Sequence, residues 1–140
     1  MDEATLNEAG GWLRKARSDL ASARKLASGS DPYLDTAIYH CQQAAEKALT
    51  IFLSYHAQPF GKTHDLRVLI AQASTLEAGF RSWQDAADRL TPLGTEFRYP
   101  GGILKPDREE FDTALGFADG IVSFATSLLP KDIHLTPGQS

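Results

Sequence analysis

Residues 31–56 read DPYLDTAIYHCQQAAEKALTIFLSYH, and this stretch decides the fold. Leu34, Ile38, Cys41, Ala45, Ala48 and Phe52 recur at spacings of three and four, the period of a single helix face. Asp31 can cap free backbone amides, and Pro32 fits the first helical position, where its missing donor costs nothing. The expectation is a second helix running from Pro32 to near His56 and stopped before Pro59.

The same period continues on both sides. Leu13, Ala16, Leu20, Ala23 and Ala27 form the apolar stripe of a first helix from about Leu6 to Ala27. Arg14, Lys15, Arg17, Arg24 and Lys25 make the rest of it locally basic. Downstream, Thr63 or Asp65 opens a short third helix through Leu66, Leu69, Ile70 and Ala73, and a fourth spans Phe80 to Leu90. A fifth begins at Pro106, carries Phe111, Leu115, Ala118, Val122, Ala125 and Leu129, and is stopped by Pro130. No segment alternates with period two, so strands find no support. The expected fold is all-α, an up-and-down antiparallel bundle of four to five helices, with helices 3 and 4 filling an end or a side. Its core takes Leu13, Leu20, Ile38, Cys41, Ala45, Phe52, Leu115, Val122 and Leu129. Residues 1–130 form a single domain, and 131–140 are a loosely held tail.

A length of 140 residues suits one domain. A net charge of −4 and a pI near 5.5 exclude a nucleic-acid binder held by bulk positive charge, although a local basic pocket stays open. The single cysteine, Cys41, excludes an internal disulfide. No apolar run approaches the ~18 residues needed to span a bilayer. The opening Met1-Asp2-Glu3-Ala4 is acidic and lacks an apolar stretch, so a cytoplasmic location is expected.

Conventional catalytic constellations do not occur. His40, His56, His64 and His134 are scattered, never paired at i, i+4, and with Cys41 they make no zinc ligand set. Neither a P-loop nor a dinucleotide-binding glycine pattern is present, and no metal or cofactor is expected. Helix 2 has a second, polar face: Thr36, His40, Gln43, Lys47, Thr50 and Ser54, with Tyr39, Gln42 and Glu46 beside it. An ordinary solvated face accounts for this stripe. So does the wall of a ligand or RNA groove, in which amide and imidazole groups read a base edge and Lys47 meets a phosphate.

Two further stretches carry polar chemistry. In Gly61-Lys62-Thr63-His64-Asp65-Leu66, capping explains Thr63, and Asp65 complements the helix dipole. His64 has no place in the cap and would brace helix 3 against a neighbour. In Glu96-Phe97-Arg98-Tyr99-Pro100-Gly101-Gly102, an arginine suited to bidentate phosphate contact and a tyrosine with a stacking face precede a glycine-rich turn. Arg98 could equally pair with Glu96 or a helix 2 carboxylate, with Tyr99 packed on the bundle.

Together, Ala37-Ile38-Tyr39-His40-Cys41-Gln42-Gln43-Ala44-Ala45-Glu46-Lys47-Ala48-Leu49, Thr63-His64-Asp65-Leu66 and Phe97-Arg98-Tyr99-Pro100 resemble the HEPN domain family, over nearly the whole chain. The resemblance implies a four- to five-helix bundle that usually forms homodimers. It further implies a chain often encoded beside a minimal nucleotidyltransferase in two-gene modules, many of them toxin–antitoxin pairs. Several branches of the family are metal-independent RNases, whose motif is an arginine followed four to six positions later by a histidine, brought together across the dimer.

Arg98 matches that arginine, but no histidine lies between His64 and His134. Losing a general base forfeits a factor of about 10²–10⁴. The expected function is therefore a nucleotide- or RNA-binding component with Arg98, Tyr99, Lys47, His40, Gln43 and His64 as contact residues. A ribonuclease toxin using Arg98 with His40 or His64 as a nonstandard base is one alternative, and a structural dimer without ligand is another. The groove is expected to be positive, with Arg98 and Lys47 converging and the acidic residues standing elsewhere.

Overall fold

The computed structural model describes residues 3–58, 63–94 and 106–134. Among them the expected all-α bundle is present, with no strand. The helices are α1 (Glu3–Leu26), α2 (Leu34–Tyr55), α3 (Leu66–Leu76), α4 (Gln84–Leu90), α5 (Arg108–Ser127) and a single turn, α6 (Lys131–His134). Short 3₁₀ helices, Ala78–Trp83 and Thr91–Gly94, flank α4.

α1 and α2 form an antiparallel hairpin. The turn between them uses Gly29 at φ +86°, a left-handed conformation that side chains with a Cβ resist. It closes when the Tyr33 amide donates to the Leu26 carbonyl at 2.7 Å. This bond also moves the start of α2. Tyr33, not Asp31, is the N-cap residue and makes no side-chain cap bond, so the helix opens at Leu34 rather than at Pro32. At its far end Ala57 adopts φ 53°, and Gln58 N–H donates to the Leu53 carbonyl while Ala57 N–H donates to Ser54. That pattern is a Schellman stop, and it places the end of α2 where the sequence indicated.

Asp65 caps α3 by accepting from the Arg67 amide, and Thr63 Oγ1 in turn accepts from the Asp65 amide at 3.1 Å. The Arg67 guanidinium grips the Asp65 carboxylate at 2.9 Å and holds its pKa below the usual carboxylate value. α5 starts two residues later than expected. Asp107 is its N-cap, in a reciprocal capping box with Glu110, and Pro106 stands before the cap. Arg108 Nη2 then donates to the Ala27 carbonyl at 2.6 Å, tying the start of α5 to the end of α1.

Between Phe80 and Leu90 the structure replaces the expected single helix with a 3₁₀ turn followed by α4. Residues three apart eclipse in a 3₁₀ helix, so Phe80 and Trp83 stand in one column against α5. Phe80 meets Phe124 edge-on at 4.8 Å and Phe52 of α2 at 4.7 Å. Trp83 lies directly over Gly120, where an added Cβ would come within 2.3 Å of the indole.

The apolar stripes face inward. Leu13, Leu20, Ile38, Cys41, Ala45, Phe52, Val122 and Leu129 are buried, and Leu115 is half-buried against the same core. Burial pushes the Cys41 thiol up to about 12. At one end Ile133 joins Leu13, Ile51 and Leu129 in a small second cluster, so the first turn of the expected tail is packed against the bundle. No helix among the described residues is long and apolar enough to cross a membrane. Because Ala45 is fully buried, Ala45→Asp puts a carboxylate where no partner can reach it. We expect a loss of at least ~3 kcal/mol, read as a collapse of the thermal midpoint.

Candidate functional site

The polar face of α2 is built from both sides. From α1, Asp19 reaches across the hairpin and is itself only 8% exposed. Its Oδ1 accepts from His40 Nδ1 at 2.7 Å, and its Oδ2 pairs with Lys47 Nζ. A buried carboxylate needs such partners, and one carboxylate here serves two. An ionised carboxylate only accepts, so Nδ1 of His40 carries a proton and Nε2 is the atom left for another partner. His40 and Lys47 each keep about a quarter of their side chain exposed, at 27% and 22%.

The second half of the face joins α2 to the start of α3. Gln42 is buried; its amide nitrogen donates to the His64 carbonyl at 3.3 Å, and its oxygen accepts from Gln43 Nε2 at 2.7 Å. Gln43 Nε2 also donates to Glu46 Oε2 at 3.2 Å. Glu46 Oε1 holds His64 Nδ1, with the carboxylate 12% and the imidazole 86% exposed. A sunken carboxylate thereby orients an imidazole that faces solvent, an arrangement suited to accepting or delivering a proton or a hydrogen bond.

The structure thus places His40, Gln43 and Lys47 on one face and links His64 to it through Gln42, Gln43 and Glu46. Thr63 and Asp65 are engaged in capping, and His64 braces the start of α3. Arg98 and Tyr99 lie outside the described residues. The expectation that acidic groups stand away from Lys47 is corrected: Asp19 pairs with Lys47 and Glu46 with His64, so this wall is close to charge-balanced. Among the described residues no three His, Cys, Asp or Glu side chains are grouped to hold a metal ion.

Sequence reasoning overlooked Asp19. Its signal was positional: it stands three residues after Ala16 and four before Ala23, on the flank of the α1 stripe where the helix meets α2. Asp19→Ala leaves Lys47 and His40 beside each other without their shared anion. It should cost about 1–3 kcal/mol, with Asp19→Asn partly restoring the loss, as measured by denaturant midpoints.

Comparison with curated proteins and with solved structures gave no match. The family model for the HEPN domain matches residues 9–128. That span takes in most of α1, all of α2 to α5 and the polar face just described. The fold and the extent of the match agree, and the chain belongs to the HEPN domain family.

Proposed function

We propose that this HEPN protein is the nucleotide- or RNA-binding component of a two-gene, toxin–antitoxin type module, a cytoplasmic homodimer partnered by a minimal nucleotidyltransferase. Family membership supports a nucleotide- or RNA-related role. One observation carries the choice of binding over cleavage: the stretch after Arg98, Tyr99-Pro100-Gly101-Gly102-Ile103-Leu104-Lys105, holds no histidine to act as base. The face of α2 supports the reading from the other side. Asp19 and Glu46 hold His40, Lys47 and His64 in set positions, so their exposed atoms can meet a ligand with little ordering cost.

In this reading Arg98 grips phosphate with its two-pronged guanidinium, Tyr99 stacks on a base, and His40, Gln43, Lys47 and His64 supply polar contacts. One observation favours a second reading, a metal-independent ribonuclease. The Glu46–His64 pair orients an exposed imidazole as a general base needs, and His64 would then replace the absent motif histidine.

Titration with nucleotides and short RNA, paired with thermal melting, tests both. On the binding reading Arg98→Ala loses affinity with an unchanged midpoint, Arg98→Lys recovers only part of it, and no RNA is cleaved. Parent-like binding by Arg98→Ala would remove Arg98 from the site. Cleavage that disappears in both His64→Ala and Arg98→Ala would establish the ribonuclease instead. Light scattering should return twice the 15.3 kDa chain mass at micromolar concentration, and a monomer mass there overturns the homodimer.

A further inference from the structure

The basic residues of α1 take no part in the site above. Between residues 14 and 25 the helix carries Arg14, Lys15, Arg17, Arg24 and Lys25 against one acid, Asp19. Asp19 is turned inward onto His40 and Lys47, so its charge is used inside the hairpin. The charged residues exposed on α1 over this stretch are therefore all cationic, with Arg24 paired to Asp119 of α5, on a chain whose net charge is −4.

An exposed aromatic stands at the head of this strip. Trp12 is 43% exposed, and the Lys15 ammonium lies 5.1 Å from the centre of its ring. The indole borders a hollow of about 570 Å³ with Gly11, Arg14, Lys15 and Ser18, with Glu8 at the N-terminal edge. On the opposite flank Arg17 and Arg24 line a groove of about 420 Å³ between α1 and α5, floored by Leu20 and Val122. Asp119 pairs with Arg24 at 3.3 Å and marks the border of the strip on α5. From Trp12 to Lys25 the helix rises about 20 Å, room for a few nucleotides of extended single strand.

We infer that the outer face of α1 is a second nucleic-acid contact surface, on which a single-stranded RNA stacks a base on Trp12 and lays its phosphates along Lys15 and Lys25. The inference rests on the nucleotide- or RNA-binding reading and adds a surface that neither Arg98 nor the α2 face supplies. A part-exposed aromatic ring beside a line of cations is the combination that holds single strands without reading sequence. Glu8 repels phosphate, so the strand runs from Trp12 toward the C-terminal end of α1. Acidic Asp119 keeps it off α5.

Titration of the full chain with a twelve-residue oligouridine RNA tests the surface, read by RNA anisotropy and by tryptophan emission. The parent should show quenching from Trp12, whereas Trp83 is held between Gly120 and Phe124 and stays unquenched. Trp12→Ala should weaken binding about tenfold or more, and Trp12→Phe should retain most affinity while losing the quenching. The double reversal Lys15→Glu, Lys25→Glu should weaken binding and flatten its dependence on salt concentration. Thermal melting of each variant separates these effects from unfolding, and the exposed charge reversals keep the test decisive if Trp12→Ala melts early. Parent-like binding by the Trp12→Ala and charge-reversed chains would overturn this surface while leaving the α2 face standing. A parent that binds no RNA overturns both readings. A Trp12→Ala chain that keeps its RNA affinity but drops to half the parent's mass in solution would assign the face to a second copy of this chain, and the RNA surface falls.

Discussion

Everything in this bundle depends on how closely α1 can approach α2. The seam between them is lined by alanines: Ala16, Ala23 and Ala27 from one side, Ala37, Ala44, Ala45 and Ala48 from the other, all buried. Small side chains let two helices approach at the short end of the usual 8–10 Å range. Close approach lets a short aspartate on the rim of α1 reach two partners on α2. With larger residues in the seam, Asp19 would stop short of Lys47 and His40. Larger side chains fill the rest: Leu13 and Ile51 pack together across one end of the hairpin, and Phe52, Phe80 and Phe111 are buried in the main core.

The polar face follows from this packing. α2 is covered by α1 along its alanine edge and by α5 along its aromatic edge, and a narrow strip between α1 and the start of α3 is left half-covered. Residues in such a strip are too buried to stay unpaired and too exposed to be apolar. Asp19, His40, Gln43, Glu46, Lys47 and His64 meet that condition by bonding to one another. The two carboxylates sit low and the basic groups sit above them, so the net charge of −4 describes the chain and misdescribes its surface.

Much of the fold was legible because helical period is a local property. The stripes of α1, α2, α3 and α5 point inward where the spacing indicated, and the end of α2 and the opening of α3 at Asp65 fall where the sequence placed them. The start of α2 was misjudged since Asp31-Pro32 looks like a helix opening, while a backbone bond from Tyr33 to Leu26, invisible in the sequence, consumes that turn. Helix 4 was misjudged for a related reason. Its 3₁₀ segment exists to align Phe80 and Trp83 with Gly120 and Phe124, partners some forty residues away. In the site, His40, Gln43 and Lys47 were legible as one face of one helix. The carboxylates that hold the basic groups were not, because pairing between helices depends on their separation and rotation, neither of which spacing encodes.

Cys41 gives the alanine seam a practical consequence. The side chain is fully enclosed beside Ala44 and Ala45, and burial holds its thiol at about 12, so almost none of it is thiolate near neutral pH. Maleimides and oxidants attack thiolates they can reach, and this one is neither ionised nor reachable. The folded chain therefore behaves toward such reagents as if it had no cysteine. A single cysteine placed on any outer helix face becomes the one labelling point, and dyes or spin probes can be attached there without first altering the core.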